Sequence, residues 1–217
     1  MTTREIEIHV QALAQLLEKN KTDFADLRSF NHYQKQQIQA RRNQLLSQQL
    51  ECAIDKLIFA KHEHGKPFLS SHSLHFNHSH SQQYYALAMS ERVKDIGIDV
   101  EELDRKVRYD ALARHAFHPE EYQIWQQQDQ DIEYWFRVWT TKEAILKASG
   151  LGIRLDLNSL NTQVHPSDQG GMCSHPLIGT FAYQNFILNQ KIVVTIAWRA
   201  EQSCRGFQFP KIQIVQH

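Results

Sequence analysis

At 217 residues, with 41% hydrophobic and 22% charged residues, the chain has the composition of a folded globular protein of one domain, or of two small halves sharing a core. Disordered and fibrous classes are excluded. Lys plus Arg equals Asp plus Glu at 24 each, so the formal net charge is zero; a general nucleic-acid binder carries a basic excess, and any anionic ligand here must be met by local basic groups.

Met1–Val10 has no basic n-region followed by an apolar run, so no secretory signal is expected. No stretch approaches the roughly 18 apolar residues a membrane helix needs, so no membrane partner is expected. Cys52, Cys173 and Cys204 are scattered and odd in number, which argues against a disulfide framework and for a reduced, cytoplasmic setting.

In chain order, Ile6, Ile8 and Val10 alternate with polar residues and predict a first strand. A Leu-rich helical stretch follows around Leu13, Leu16 and Leu17. Residues 32–60, Gln-rich and punctuated by Ile38, Leu45, Leu46, Leu50, Leu57 and Ile58, predict one or two amphipathic helices. Gly65 and Pro67 break the pattern, and residues 74–101 read as strands. Residues 102–116 are a loop or short helix, a helix opens at Pro119, and another spans Glu133 to Ser149 with Gly150 as its C-terminal cap. Beyond it lie a polar, loop-rich stretch (156–171) and short strands, the segment 191–200 being the clearest. The order strand, helices, strands occurs twice, predicting two similar α/β halves, 1–101 and 102–217.

The sharpest local feature is Asp95-Ile-Gly-Ile-Asp-Val-Glu101. On a strand, Gly97, Asp99 and Glu101 share one face. Two carboxylates held together repel unless a cation lies between them, and hard oxygens suit Mg²⁺; Gly97 would leave room for a ligand. The competing reading is a solvated strand end. Trp139, Glu143 and Lys147 share one helix face. Glu143 and Lys147 are either a surface i,i+4 ion pair or a metal- or proton-binding acid and a phosphate-binding base, with Trp135, Val138, Ile145 and Leu146 buried. Glu120 and Glu121 suit the first turn of the helix opening at Pro119, with His118 as a possible cap. Six His lie between His62 and His80, but no spacing matches a zinc motif. Ser79-His80-Ser81 at a strand end can hold a phosphate or be a polar turn. Arg41 and Arg42 pair well with phosphate, though two adjacent Arg also form a solvated helix face.

Taken in order, Gly65-Lys-Pro-Phe68, Phe76-Asn-His-Ser-His-Ser81, Gly97-Ile-Asp-Val-Glu101, Phe117-His-Pro-Glu-Glu121 and Trp139-Thr-Thr-Lys-Glu-Ala-Ile-Leu-Lys147 resemble the 4′-phosphopantetheinyl transferases, the larger monomeric Sfp type fitting best. The resemblance implies an α+β fold of two pseudo-twofold-related halves, each a small antiparallel sheet packed with helices, with the active site between them. It implies transfer of the phosphopantetheine arm of coenzyme A to a serine of an apo acyl or peptidyl carrier protein, with Mg²⁺, releasing adenosine 3′,5′-bisphosphate. Carried over residue by residue, Asp99, Glu101 and Glu143 are the metal acids. Glu143 or Glu121 is the base, and Lys147 contacts the phosphates. Ser79 and His80 hold coenzyme A phosphates, Lys66 lies near the nucleotide, and Arg41 and Arg42 supply upstream basic groups. His118 and His78 depart from the usual residues of their motifs, and the stretch from Gln34 to Gln49 is less basic than the family's. Arg105, Lys106 and Arg108 are a candidate edge for the carrier. The competing classes are a Mg²⁺-dependent phosphodiesterase or nuclease, and a His-rich metal-binding module.

Overall fold

The computed structural model describes residues 4–200, 202–203, 206–207 and 209–217; Cys204 lies outside them. The chain runs through β1 (Glu5–Ala12), α1 (Leu27–Gln49), β2 (Phe59–Lys61), β3 (Pro67–Leu69), β4 (His75–His80), β5 (Tyr84–Ser90), β6 (Gly97–Glu102), α2 (Tyr109–Ala116), α3 (Pro119–Gln127), α4 (Ile132–Ser149), β7 (Gly170–His175), β8 (Gly179–Leu188), β9 (Ile192–Arg199), β10 (Gln202–Ser203), β11 (Gly206–Phe207) and β12 (Lys211–Gln216). The fold is mixed α+β.

Two four-stranded sheets dominate, ordered β12-β1-β5-β4 and β6-β9-β8-β7. Each is built the same way. A strand leads into helical structure, the chain returns as a hairpin, and the hairpin's last strand pairs antiparallel with the first: β1 with β5, and β6 with β9. This is the internal likeness expected from the sequence. The seam expected after residue 101 needs correcting, because it falls inside β6, which belongs entirely to the second sheet, while the closing strand β12 returns to the first. That strand pairs parallel with β1, so the first sheet is not purely antiparallel.

Strand alternation sorts side chains into layers. Ile6, Ile8, Val10, Ala86 and Ala88 meet Ile98, Val100, Val194, Ile196 and Trp198 between the sheets. Tyr85, Leu87 and Met89 face the other way, against Ile38, Leu45 and Leu46 of α1. On the far side, Phe181, Tyr183, Val193 and Ala197 pack against α4. The two helices therefore flank a sheet pair, and α4 is buried around most of its circumference, including Arg137 and Lys142. Trp135, Val138, Ile145 and Leu146 are buried as expected.

Several local expectations hold and some do not. Gly150 ends α4 in the left-handed region at φ 76°, and His118 caps α3, its ring nitrogen accepting from the Glu120 N–H. The Leu-rich stretch after β1 is one short turn of 3₁₀ helix, Leu13–Gln15, with Leu13 drawn into the α1 core. The region 32–60 holds one helix, which opens earlier, at Asp26, whose carboxylate accepts from the Ser29 N–H at 2.7 Å, and ends at Gln49. The chain then reaches β2 through another short 3₁₀ turn, Ile54–Lys56. Among the described residues no helix is long and apolar enough to cross a membrane.

Candidate active site where the two sheets meet

The site forms where β4 and β6, edge strands of the two sheets, lie beside α4. Gly97 makes the approach possible. A Cβ there would stand 2.1 Å from the Ala144 carbonyl oxygen and 2.3 Å from the Ala148 amide nitrogen, distances no side-chain carbon tolerates. The space beside Gly97, which the sequence reading gave to a ligand, is filled by α4 itself. Behind this contact a buried polar network joins helix and sheet: Thr140 and Thr195 hydroxyls lie 2.6 Å apart, and the Asn185 amide donates to Thr195 at 2.7 Å and to Thr141 at 3.0 Å. The network holds α4 against β8 and β9, and β9 pairs with β6, Thr195 opposite Asp99.

Asp99 and Glu101 follow Gly97 on the same face, as alternation requires. The Lys147 ammonium does not pair with Glu143 one turn back. It reaches Asp99 Oδ1 at 2.6 Å and Ser79 Oγ at 2.8 Å, and Ser79 Oγ donates to the same Asp99 oxygen at 2.8 Å. Arg105 forms an ion pair with Glu101 Oε1, so this member of the expected carrier edge is engaged in the site. Asp99 and Glu101 are 5% and 8% exposed, yet Asp99 Oδ2 and Glu101 Oε2 have no hydrogen-bond partner. Buried acceptors left unpaired are costly, and two such oxygens on one strand face suit a hard cation. Burial, with Asp99 nearby, raises the Glu143 pKa against the opposing pull of Lys147. Burial likewise raises Glu101, with Arg105 pulling down and Asp99 and Glu102 adding to the rise. Among the described residues no group of three His, Cys, Asp or Glu side chains stands together so as to hold a metal ion. This applies to the six His as well as to the acids.

Alternation along β4 sends His78 and His80 the other way, toward α1. There a cleft of about 580 Å³ is lined by Lys35, Arg42, Lys61, Gly65, His78 and His80, among others. A smaller hollow of about 240 Å³ shares Gly65, Pro67 and His78 and extends to Lys147 and Gly150. Burial, reinforced by Arg42, pushes His78 down to about 3, so its ring is neutral. Burial and Lys147 also lower His80. Arg42 lies with its guanidinium 4.2 Å from the Phe59 ring centroid, and its Nε donates to Asn43. The adjacent Arg41 instead donates to Gln11 at 2.8 Å and Gln44 at 2.9 Å and does not line the cleft. Lys35 and Lys61 were not foreseen; single lysines on separate elements leave no sequence pattern.

Two expected site residues are employed elsewhere. Lys66 donates to the carbonyls of Ile96 at 2.9 Å and Ala148 at 3.0 Å, tying the start of β6 to the end of α4. Burial brings its pKa down to about 8. It borders the smaller hollow, but its ammonium is held by these carbonyls. Glu121 is 1% exposed and does not join the other acids. It pairs with Lys142 at 2.7 Å, accepts from the Thr162 N–H at 2.7 Å and from the Thr162 hydroxyl, and accepts the His118 N–H at 2.8 Å in a capping box. Lys142 also donates to the carbonyls of Leu157, at 2.9 Å, and Leu160. The group staples α3, α4 and the 157–162 segment.

Residues 95–197, from the turn before β6 to β9, match the family model described as the 4′-phosphopantetheinyl transferase superfamily. Over 120 residues the chain is 38% identical to the 4′-phosphopantetheinyl transferase gsp of Aneurinibacillus migulanus, covering 52% of this chain and 47% of that one. It is 34% identical over 109 residues to a 4′-phosphopantetheinyl transferase of Bacillus subtilis, covering 49% and 47%. With the 4′-phosphopantetheinyl transferase Sfp of Bacillus subtilis strain 168 it shares 28% identity over 128 residues, covering 58% and 55%. The chain spans about half the length of the curated relatives it matches. The resemblance to the 4′-phosphopantetheinyl transferase superfamily carried by the motif order is thus shown over the segment that supplies Asp99, Glu101, Glu143 and Lys147.

Proposed function

We propose that this chain transfers the 4′-phosphopantetheine arm of coenzyme A to a serine hydroxyl of an apo acyl or peptidyl carrier protein, releasing adenosine 3′,5′-bisphosphate. One observation carries the reading: Asp99, Ser79 and Lys147 are in mutual contact, and Lys147 borders a hollow that shares Gly65, Pro67 and His78 with the cleft bearing Lys35, Arg42 and Lys61. A phosphate chain laid from the basic cleft toward Lys147 would bring its reacting phosphorus to the acids.

Asp99 and Glu101 each offer one unpartnered oxygen, and with Glu143 they are the groups that would hold Mg²⁺. Bound there, the ion would neutralise charge on the pyrophosphate. The chain's own residues do the rest. The carrier serine oxygen bonds to the phosphorus bearing pantetheine as the bond to the bridging oxygen of the adenosine 5′-phosphate breaks. Glu143, made more basic than an ordinary carboxylate by burial and Asp99, takes the serine proton. The Lys147 ammonium faces the charge that develops on the departing phosphate. Ser79 fixes the shared Asp99 oxygen, and His80 and Arg42 orient the nucleotide end. Glu121 has no part in the proton transfer. Most of the rate comes from placing two substrates in line. We read the protein as a cytoplasmic monomer acting on a carrier protein, with no nucleic-acid or membrane partner.

Intact-mass spectrometry of an apo carrier protein incubated with this protein, coenzyme A and Mg²⁺ tests the proposal. A gain equal to one phosphopantetheine arm, abolished by EDTA, is the expected result. Absence of any gain on several unrelated apo carriers, together with absence of coenzyme A binding by calorimetry, overturns it.

A further inference from the structure

Glu102 is out of place on β6. Alternation puts it on the face with Ile98 and Val100, the face turned toward the first sheet, and it is 2% exposed. One carboxylate oxygen accepts from the Ser81 hydroxyl at 2.5 Å and from the Gln83 N–H at 2.7 Å; the other has no partner. A buried carboxylate with an unpaired oxygen costs stability, so the fold alone would be better served by an apolar residue here. What the carboxylate holds is the turn between β4 and β5.

That turn is the last of three side-chain links from β4 to β6, strands of different sheets. Asn77 accepts the Ile98 N–H at 2.9 Å, Ser79 donates to Asp99 at 2.8 Å, and Ser81 donates to Glu102. The linking residues are every second one, so the residues between them, His78 and His80, are aimed at the α1 cleft by the same three contacts. His80 is the last residue of β4, next to Ser81. Besides the Glu102 link, this end is held by the Ser81–Tyr84 turn bond, the pairing with Tyr85 and the Gln83 carbonyl, which accepts the Leu13 N–H at 2.7 Å; none of these fixes the Ser81 side chain to β6.

We infer that Glu102 is a positioning residue that fixes the Ser81–Gln83 turn and so sets Ser79 and His80 for coenzyme A. The inference rests on the proposed function. It separates placement from stability, because an apolar residue in place of Glu102 removes the half-paired buried carboxylate and cannot hold the turn.

Calorimetric binding of coenzyme A and thermal midpoints are compared for the wild type, Glu102→Leu, Glu102→Gln and Ser81→Ala. The expected result is a midpoint for Glu102→Leu equal to or above wild type, with coenzyme A binding weakened at least tenfold. Glu102→Gln, which keeps an acceptor, stays within about threefold of wild type, and Ser81→Ala weakens binding in the same direction as Glu102→Leu. In transfer assays the loss falls on KM for coenzyme A more than on kcat. Wild-type affinity in Glu102→Leu, or in Ser81→Ala should the former not fold, overturns the inference alone. Failure of the wild type itself to bind coenzyme A overturns the proposed function and this inference with it.

Discussion

Lys147 reaches past Glu143 to Asp99. The two α4 residues are one turn apart, in the orientation that favours a helix ion pair, yet the ammonium lies 2.6 Å from a carboxylate 48 residues earlier in the chain. A surface pair contributes little, whereas Asp99 is buried and needs a partner. The alternative is settled by burial: the lysine goes where the desolvated charge is. Lys147→Ala should lower transfer turnover by about 100-fold, the scale for removing one charged donor from a developing anion. Steady-state rates on an apo carrier check this, and an unchanged rate would return Lys147 to a purely structural pairing with Asp99.

Glu143 carries opposite consequences for stability and activity. Its pKa is raised above 4.5, chiefly by burial and then by Asp99. The native state therefore holds this proton more tightly than the unfolded chain. As pH climbs above the unfolded value, the ionised acid subtracts stability, and the full loss is reached above the folded value. Glu143→Gln removes that loss. In EDTA at neutral pH it should stabilise the protein by about 1 kcal/mol while transfer is lost. Urea unfolding with and without Mg²⁺ checks the sign; a destabilised Glu143→Gln protein in EDTA would contradict it.

Gly97 explains why the site has its shape. Replacing it by Ala drives a methyl into backbone atoms of Ala144 and Ala148, with no flexible side chain to yield. The cost should be about 3 kcal/mol or more, at or beyond the upper end for overpacking. Helix α4 must move off β6, carrying Glu143 and Lys147 away from Asp99. Whatever fraction of Gly97→Ala protein folds should transfer poorly. Circular dichroism melting and activity per folded molecule measure the two effects separately.

What could be read in the sequence was what repeats locally. Alternation exposed Asp99 and Glu101 on one face, helical spacing put Glu143 and Lys147 on one face, and Gly150 and Pro119 marked helix ends. What could not be read depends on partners far along the chain. Gly97 was seen as room for a ligand because nothing near it announces α4. Lys66 is placed near the nucleotide by its motif, and the carbonyls that hold it are 30 and 82 residues away. The 102–217 half was drawn too simply because β6 and β12 each pair with the sheet on the far side of residue 101.

Glu121 is the hardest case, since by type and by motif it belongs with the other acids. The residue that decides its role is Thr162, 41 positions away, together with Lys142, itself only 1% exposed. A buried pair of this kind adds little net stability over an apolar substitute, but losing one partner strands the other charge. Glu121→Gln should therefore destabilise the protein by about 3–5 kcal/mol, and Lys142→Met should do likewise. The double variant Glu121→Leu/Lys142→Met should recover much of that loss. Activity per folded molecule of the double variant should stay within a few-fold of wild type, measured at a temperature where all variants are native. A general base cannot be replaced by leucine without losing its proton-transfer step, so retained turnover would place Glu121 in the scaffold, and a loss of 100-fold or more would bring it back into the chemistry.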